Sequence, residues 1–268
     1  MTQTVRAALA AACLAALLAA PLASGAVAET TAPDPWPGLV TDLFEGREIA
    51  KADGTIALEA PMRAEDAAIV PMTLRFPDAA KVKVATLVID QNPMPMAARF
   101  TFGEKSGVDF IETRVRVNSY TNVHAVAETA DGALHAEAKF VKASGGCSAP
   151  AGKDPDEARA NMGKMKYREF KSAVAGRREA QIMIRHPNNS GLQMDQITRT
   201  YTPAHYVDAV EVWQGDALIF RMEGGISLSE DPNFRFSYAP NGARTLRVVA
   251  HDNHGGAFTA EWPLAEAS

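Results

Sequence analysis

The residue with the most chemistry to offer is Cys147, in the run Lys142-Ala143-Ser144-Gly145-Gly146-Cys147-Ser148-Ala149-Pro150, where an apparent strand gives way to two glycines. A thiolate attacks sulfur electrophiles and exchanges with disulfides, provided the cysteine is accessible and partly ionised. Gly145 and Gly146 have no side chain to pack and leave the backbone free to take unusual torsions, so the run reads as a thiol on a movable arm. It reads equally as a half-buried, inert cysteine beside a loop, because unpaired cysteines are among the most buried residues. Lys142 and Lys153 flank the thiol and would lower its pKa on close approach.

Other residues offer weaker chemistry. His251 and His254 lie three apart in a turn and can face one ion, but no third ligand at zinc spacing accompanies them, and a polar turn is the simpler reading. His186 before Pro187 and His205 after Pro203-Ala204 read as residues that shape loops at strand ends. His124 and His135 alternate with apolar residues in the hairpin that leads to Cys147, where a surface strand position is the default. Met94-Pro95-Met96 presents two thioethers of the kind that suit Cu(I), yet Pro93 and Pro95 account for the segment as a strand entrance. The sequence has no Gly-rich phosphate loop, nucleophile elbow or paired-cysteine redox motif, so no cofactor, no metal and no autonomous enzyme is expected.

Arg6 precedes an apolar run from Ala7 to Leu22, and Ala26-Val27-Ala28 stands before Glu29. This pattern predicts a secretory signal peptide over residues 1–28, cut after Ala28, and an exported, periplasmic mature protein. The run is shorter than the roughly 20 apolar residues a membrane-spanning helix needs, and no comparable run follows. Cys13 leaves with the signal, so Cys147 has no intramolecular partner. A lone thiol in an oxidising compartment points to a reactive group or an intermolecular bond. Removal of Arg6 takes the formal net charge from −5 to −6, a mild acidity that gives nucleic acid or an anionic membrane no purchase.

The elements that must position Cys147 are mostly strands. Residues 29–38 are proline-rich and read as an extended lead-in. Strands are predicted at Thr55 to Ala60, Ile69 to Phe76, Val82 to Ile89, Ala97 to Phe102, Phe110 to Val117, Tyr120 to Ala127 and Leu134 to Val141, the last two joined by the turn signal Asp131-Gly132. Thr113-Arg114-Val115-Arg116-Val117 alternates as a strand with one wet face should. Asp154-Pro155-Asp156-Glu157 has the form of an N-cap with a first-turn proline, and Ala158, Met162 and Met165 follow at helical spacing, which predicts a short connecting helix over residues 155–165 whose methionines dock on a domain surface.

A second set of strands follows at Lys166 to Phe170, Glu179 to Arg185, Tyr206 to Trp213, Ala217 to Met222, Phe234 to Ala239, Thr245 to Asp252 and Ala257 to Trp262. Short strands with frequent turns and no intervening helix favour antiparallel sandwiches. The expected architecture is all-β: two tandem immunoglobulin-like sandwiches, residues 29–150 and 166–268, joined by a helical linker over residues 151–165.

The second set carries a family resemblance. Ile182-Met183-Ile184-Arg185-His186-Pro187-Asn188-Asn189-Ser190-Gly191-Leu192, then Ile197-Thr198-Arg199, then Tyr201-Thr202-Pro203-Ala204-His205-Tyr206-Val207 resemble SoxZ, as do Gly225-Ile226-Ser227-Leu228-Ser229 and Asp231-Pro232-Asn233-Phe234-Arg235-Phe236. The first set resembles SoxY through Asn92-Pro93-Met94-Pro95-Met96-Ala97-Ala98-Arg99-Phe100 and through Gly145-Gly146-Cys147. In that family SoxY and SoxZ are separate periplasmic subunits of a heterodimer, and SoxY carries sulfur intermediates on a cysteine in a terminal Gly-Gly-Cys-Gly-Gly arm. Both on one chain resemble the fused SoxYZ-like carriers associated with quinoprotein dehydrogenases. Here Ser148-Ala149-Pro150 replaces the second glycine pair and the chain continues, which makes the arm a loop tethered at both ends.

The resemblance implies a carrier of sulfur-oxidation intermediates, with Cys147 as the attachment point, Gly145 and Gly146 as its arm, and an intrachain interface in place of the heterodimer. Its partners would be periplasmic sulfur-oxidation enzymes. A non-covalent accessory protein for a periplasmic quinoprotein dehydrogenase is the alternative, and a homodimer linked through Cys147 a third reading.

Overall fold

A computed structural model describes residues 34–150, 152, 154–195 and 198–265. The leader expected over residues 1–28 lies outside them, as does Lys153. In chain order the elements are α1 (Trp36–Phe44), β1 (Ile49–Lys51), β2 (Ala57–Glu59), β3 (Val70–Arg75), β4 (Val82–Ile89), β5 (Met96–Phe102), β6 (Phe110–Val115), β7 (Thr121–Thr129), β8 (Leu134–Val141), α2 (Pro155–Asn161), β9 (Met165–Phe170), β10 (Arg178–Ile184), β11 (Val207–Gln214), β12 (Ala217–Gly224), β13 (Asn233–Tyr238), β14 (Thr245–Asp252) and β15 (Ala257–Pro263). No helix among the described residues is long and apolar enough to cross a membrane.

Period-two patterning puts Val70, Met72 and Leu74 of β3, and Leu246, Val248 and Ala250 of β14, into the interior while their neighbours face out or lie half-buried. The β7–β8 hairpin turns at the expected Asp131-Gly132, where Gly132 has φ +87°, which an L side chain resists. The strands form two sheets packed face to face. One runs β1-β8-β7-β4-β5-β12-β11-β14-β15 and the other β2-β3-β6-β13-β10-β9, with β1 against β8 the parallel pair in an otherwise antiparallel arrangement.

Both sheets pass from the N-terminal half of the chain into the C-terminal half. Strand β5 pairs with β12, from Phe102 opposite Phe220 to Ala98 opposite Gly224, and β6 pairs with β13 at Ile111 opposite Phe236 and Glu112 opposite Arg235. The sandwiches are thus joined edge to edge in both layers, and one apolar core runs through them. At the joint Phe100 of one half meets Phe220 and Phe234 of the other edge to face, at ring separations of 5.9 and 6.2 Å. Joining the edges also covers backbone donors and acceptors that a separate sandwich would leave open.

Three local expectations are corrected. The lead-in is not extended throughout: α1 starts at Trp36, with a proline in its first turn, where the missing N–H costs nothing. Its Trp36 ring stacks on His124 at 3.6 Å, and His124 Nδ1 lies 2.9 Å from Asp90 Oδ1, so His124 anchors the helix from a buried site. The connecting helix stops at Asn161 and leaves Met165 to open β9, because Gly163 takes φ +77° and its N–H donates to Arg185 O at 2.7 Å. Its start is as predicted, with the Asp154 carboxylate accepting from the N–H groups of Asp156 and Glu157. Third, β6 ends at Val115, and Arg116 turns inward to 2 % exposure instead of lying on a wet face.

Candidate functional site

Beyond β8 the chain turns back along the seam between the halves. Gly145 N–H donates to Asn118 O (2.9 Å), Gly146 N–H to Val117 O (3.0 Å) and Ser148 N–H to Gly145 O (3.1 Å), closing a tight turn around Cys147. Gly145 has φ +79°, the left-handed conformation glycine tolerates. At Gly146 a side chain has no room: a Cβ there would stand 2.0 Å from Ala67 O and 2.7 Å from Val117 O. The glycine pair therefore seats the turn tightly against the N-terminal half. Cys147 is 0 % exposed, so of the two readings of this run the arrangement has the buried cysteine and not the thiol on a movable arm: absence of side chains here permits close backbone approach.

The C-terminal half closes the site from the other side. Ser190 Oγ donates to Cys147 O, and Gln193 Nε2 donates to Ala149 O at 3.0 Å. The covering loop is held ready by its own bonds, Ser190 N–H to Gln193 Oε1 (3.1 Å) and Leu192 N–H to Ser190 Oγ (3.2 Å). Asn188 supports it with three contacts: its N–H donates to His186 Nδ1, its Nδ2 to Leu228 O, and its Oδ1 accepts from Val207 N–H. Further along the arm Gly152 N–H reaches Glu230 Oε2 at 2.9 Å.

Beneath the turn lies Arg116. Its Nη1 donates to Gly146 O at 3.2 Å and its Nη2 to Asn188 O at 3.4 Å, so one guanidinium holds the arm and the covering loop together. Its buried Nε has no hydrogen-bond partner among the described residues. Burial lowers the Arg116 pKa, and the negative charges that oppose this are those of Cys147, Glu230 and Asp66. Burial in turn pushes the Cys147 thiol up to about 11, against the pull of Arg116. Among the described residues the cation acting on the thiol is thus Arg116; of the two flanking lysines, Lys153 lies outside them. In this closed arrangement the sulfur is protonated at neutral pH and out of reach of solvent.

The Asn92-Pro93-Met94 motif organises the seam below. Asn92 Nδ2 donates to Arg116 O (2.7 Å) and to Ser227 Oγ (2.9 Å), and its Oδ1 accepts from Asn118 N–H (2.9 Å). Ser227 Oγ donates to Met94 O at 2.7 Å, and a Cβ at Gly225 would stand 2.0 Å from Met94 Sδ. Met94 is therefore a packing residue fitted to a glycine, and Asn92 positions the backbone that turns Arg116 inward.

Of the histidines, His254 stacks on His205 at 4.1 Å, while His251 is exposed on β14. The third partner is Asp252: its Oδ2 lies 2.9 Å from His205 Nε2 and 3.5 Å from His186 Nε2. These three ligand atoms lie within 4.8 Å of one another. Because Asn188 N–H donates to His186 Nδ1, the neutral imidazole carries its proton on Nε2, which faces Asp252 Oδ2 at 3.5 Å without closing a hydrogen bond. Burial holds His186 down at about 4, and although burial raises Asp252, hydrogen bonds from His205, Gly256 and His254 bring it to about 2. The cluster is a neutral-imidazole and carboxylate tie behind the covering loop.

Sequence reasoning located Cys147 and the glycines and missed Arg116, Ser190, Gln193 and Asn92. Ser190 and Gln193 carry no local signal, since they act across more than 40 residues of sequence. Arg116 had one: it sits two residues before the seam residue Asn118, where the alternation of β6 runs out.

Comparison with known proteins follows the same division of the chain. Residues 40–147 match the family model for the sulfur oxidation protein SoxY, and residues 167–263 match that for the sulphur oxidation protein SoxZ. Among solved structures, the sulfur carrier protein SoxY from Chlorobium limicola f thiosulfatophilum is 22% identical, with 41% of this chain and 91% of that chain covered and a TM-score of 0.36. A superoxide reductase (neelaredoxin) from Ignicoccus hospitalis is 15% identical, with 34% of this chain and 81% of that chain covered and a TM-score of 0.31. No curated protein matches the chain.

Proposed function

The chain belongs to the fused SoxYZ-like sulfur carriers, and from that premise we propose that Cys147 is the covalent attachment point for sulfur intermediates handed between periplasmic sulfur-oxidation enzymes. The observation that carries this reading is that the SoxY match ends on Cys147 itself, at the seam where the second half covers it. In the covered state the thiol is protonated and silent; release of the bonds from Ser190 and Gln193 exposes it. Exposed, the thiolate attacks the sulfane sulfur of a donor of the form R–S–S–SO₃⁻: the bond from Sγ forms, the donor S–S bond breaks, and a thiolate leaves with the electron pair. The product, a cysteine S-thiosulfonate, needs no outside oxidant. The chain supplies presentation and shelter, and its partners supply catalysis.

The intact mass of protein exported and purified without reductant tests this. Additions of sulfur, or of sulfur with oxygen, that vanish on reduction and in Cys147→Ser are the expected result. An unmodified Cys147 that resists alkylation even in the presence of the partner enzymes would sink the proposal. The complete burial of the thiol favours a second reading, a non-covalent accessory of a quinoprotein dehydrogenase, under which Cys147→Ser keeps full dehydrogenase support while deletion of the protein abolishes it.

A further inference from the structure

The loop that covers Cys147 leaves the sandwich at His186 and returns to it at His205. Its two limbs are paired: Asn189 N–H donates to His205 O at 2.8 Å, His205 N–H to Asn189 O at 3.0 Å, and Met194 bridges to Tyr201 further out. Both terminal imidazoles converge on one carboxylate, that of Asp252 at the end of β14, with their rings 4.7 Å apart and nearly perpendicular. Ser190 and Gln193, which hold the arm, lie between these two ends.

His186 is the member of the pair whose charge the site resists. Its side chain has no exposure, its Nδ1 accepts from Asn188 N–H at 3.1 Å, and its Nε2 already carries the ring proton. A ring in that tautomer offers no lone pair to a metal ion at Nε2, so the species to which it can respond is a second proton, taken up at Nδ1. There the new N–H faces the Asn188 N–H, two donors on one line, and Asn188 must move. Asn188 is the root of the cover: its side chain is fastened to Leu228 O and Val207 N–H, and its carbonyl accepts from Arg116 Nη2. Its φ of +45° is left-handed, a conformation a non-glycine residue keeps only while its surroundings impose it.

We propose that His186 is a proton-operated latch on the cover of Cys147: a proton bound at Nδ1 breaks the Asn188 bond, loosens the loop at its root and uncovers the thiol. This rests on the carrier reading of Cys147 and adds to it the condition, mild acid, under which the site opens. Asp252 favours the charged ring and opposes the latch, while His205, with His254 stacked on it, disfavours the charge. Asp231, which accepts from His186 N–H, is paired with Arg185, and Glu157, Lys164, Lys166 and Glu230 border the cavity on the outer side of His186. Burial and then His205 outweigh Asp252 and hold the closed ring down at about 4, against an ordinary 6.5. A ring released into water regains its ordinary value, so the open form binds the proton first. As pH falls from 6.5 towards 4 the balance therefore moves to the open form, and Asp252, at about 2, keeps its charge throughout.

The test follows Cys147 in the full chain, reduced, freed of reductant and kept in EDTA, as it reacts with 4,4′-dithiodipyridine from pH 7.5 to 4.5. The thiolate attacks one sulfur of the reagent, the S–S bond breaks, and 4-thiopyridone leaves with the electron pair. Each rate is divided by that of 2-mercaptoethanol at the same pH, which cancels the ionisation of the thiol and of the reagent, and Cys147→Ser is the blank. The relative rate should rise roughly 10- to 30-fold between pH 7 and pH 5, the linkage of one group whose value goes from about 4 to about 6.5 on opening. In His186→Gln, whose amide oxygen accepts from Asn188 N–H at every pH, the rise should vanish.

A flat wild-type profile from a thiol that does react overturns the latch and leaves the carrier reading standing. So does a His186→Gln profile as steep as that of the wild type, or a rise that comes only with loss of the near-ultraviolet circular dichroism, which marks global acid unfolding. If His186→Gln does not fold, the wild-type ring decides: nitrogen NMR should show the Nε2–H tautomer at pH 7, and amide exchange at Asn188 should quicken relative to an unstructured peptide as the pH falls. An Nδ1–H tautomer at pH 7, or an Asn188 amide equally protected at pH 7 and pH 5, overturns the inference. A Cys147 that stays silent at every pH in the folded chain, partner enzymes included, defeats the carrier reading and the latch together.

Discussion

The two halves of the chain meet twice, and the two joints are built differently. At the first, β5 pairs with β12 and β6 with β13, and Phe100, Phe220 and Phe234 interlock beneath them with no exposure to solvent. At the second, the turn at Cys147 lies under the loop around Ser190, held by a few bonds from side chains to backbone carbonyls. The first joint couples ladder hydrogen bonds to aromatic burial over two sheets, so separating the halves means exposing the core. Opening the second breaks individually weak bonds, each contributing about 1 kcal/mol net, and exposes one turn. A chain that must keep its halves together while uncovering one thiol needs this inequality. Fusion onto one chain raises the effective concentration of the halves further.

The inequality is sharpened by the largest effect expected. Phe234→Ala removes a buried ring that touches Phe100 and Phe220, and should destabilise the whole chain by about 3–5 kcal/mol. Chemical denaturation should show a single transition moved to lower denaturant, since both halves share one core. Two separated transitions in the wild-type chain would break the comparison, because the sheets would then not act as one unit.

Next in size is the alkaline limb of stability. The Cys147 thiol is held up at about 11 in the folded chain against an ordinary 9.0. Between those values the folded state keeps a proton that the unfolded state has lost, so stability falls as pH rises through the window, by up to about 3 kcal/mol. Tyr238, pushed up to about 12 by burial, and Tyr167, raised further, act in the same direction at higher pH, but they are present in any Cys147 variant and cancel in the difference. Denaturation midpoints of wild type and Cys147→Ser should therefore diverge between pH 7.5 and 10.5, with the wild type losing more. Parallel curves would mean that the thiol is solvated and the second joint already open.

These two joints were unequally legible in the sequence. The strands of the first are marked by period-two apolar residues and turn signals, and β5, β12 and β13 fall within two residues of where the pattern puts them. That pattern says which face of a strand is buried; it does not say which strand lies alongside. The edge-to-edge continuation of both sheets followed from neither half alone. At the second joint the sequence marks Cys147 as the one cysteine beyond the expected leader and the glycines by their type, yet glycine serves freedom and close packing equally well. The choice between them lies in Ala67 O and Val117 O, nearly 80 and 30 residues away in sequence. Arg116 was misread for a related reason: alternation identifies a strand's outer face only while the strand lasts, and β6 ends one residue earlier.

Gly146→Ala tests the packing role directly. A Cβ forced to within 2.0 Å of Ala67 O must push the turn outward, at a cost of about 1–3 kcal/mol. If close approach is what the glycine provides, the displaced turn exposes Cys147, and its alkylation by iodoacetamide should quicken by tenfold or more. If the glycine provides mobility, the alanine stiffens the arm and alkylation slows. Gly145→Ala also carries a penalty, from the left-handed φ of +79°, but its Cβ meets only Ser148 Oγ at 3.9 Å, so its effect on exposure should be the smaller of the two.

The smallest change in stability should accompany the most local change in access. Ser190→Ala removes the hydroxyl that donates to Cys147 O and also accepts from Leu192 N–H. The global cost is about 1 kcal/mol, because the carbonyl it releases regains water once the turn lifts. The local opening equilibrium moves by the same amount, however, and a thiol protected by that opening alone should alkylate about five- to tenfold faster. Gln193→Ala, which frees Ala149 O, should act in the same sense, and the double variant should show whether the two bonds open together. A change in alkylation rate without a matching shift in the denaturation midpoint means that the second joint opens while the first stays closed. If alkylation instead tracks global stability across Ser190→Ala and Phe234→Ala alike, the thiol is reached only through unfolding, and the two joints are one.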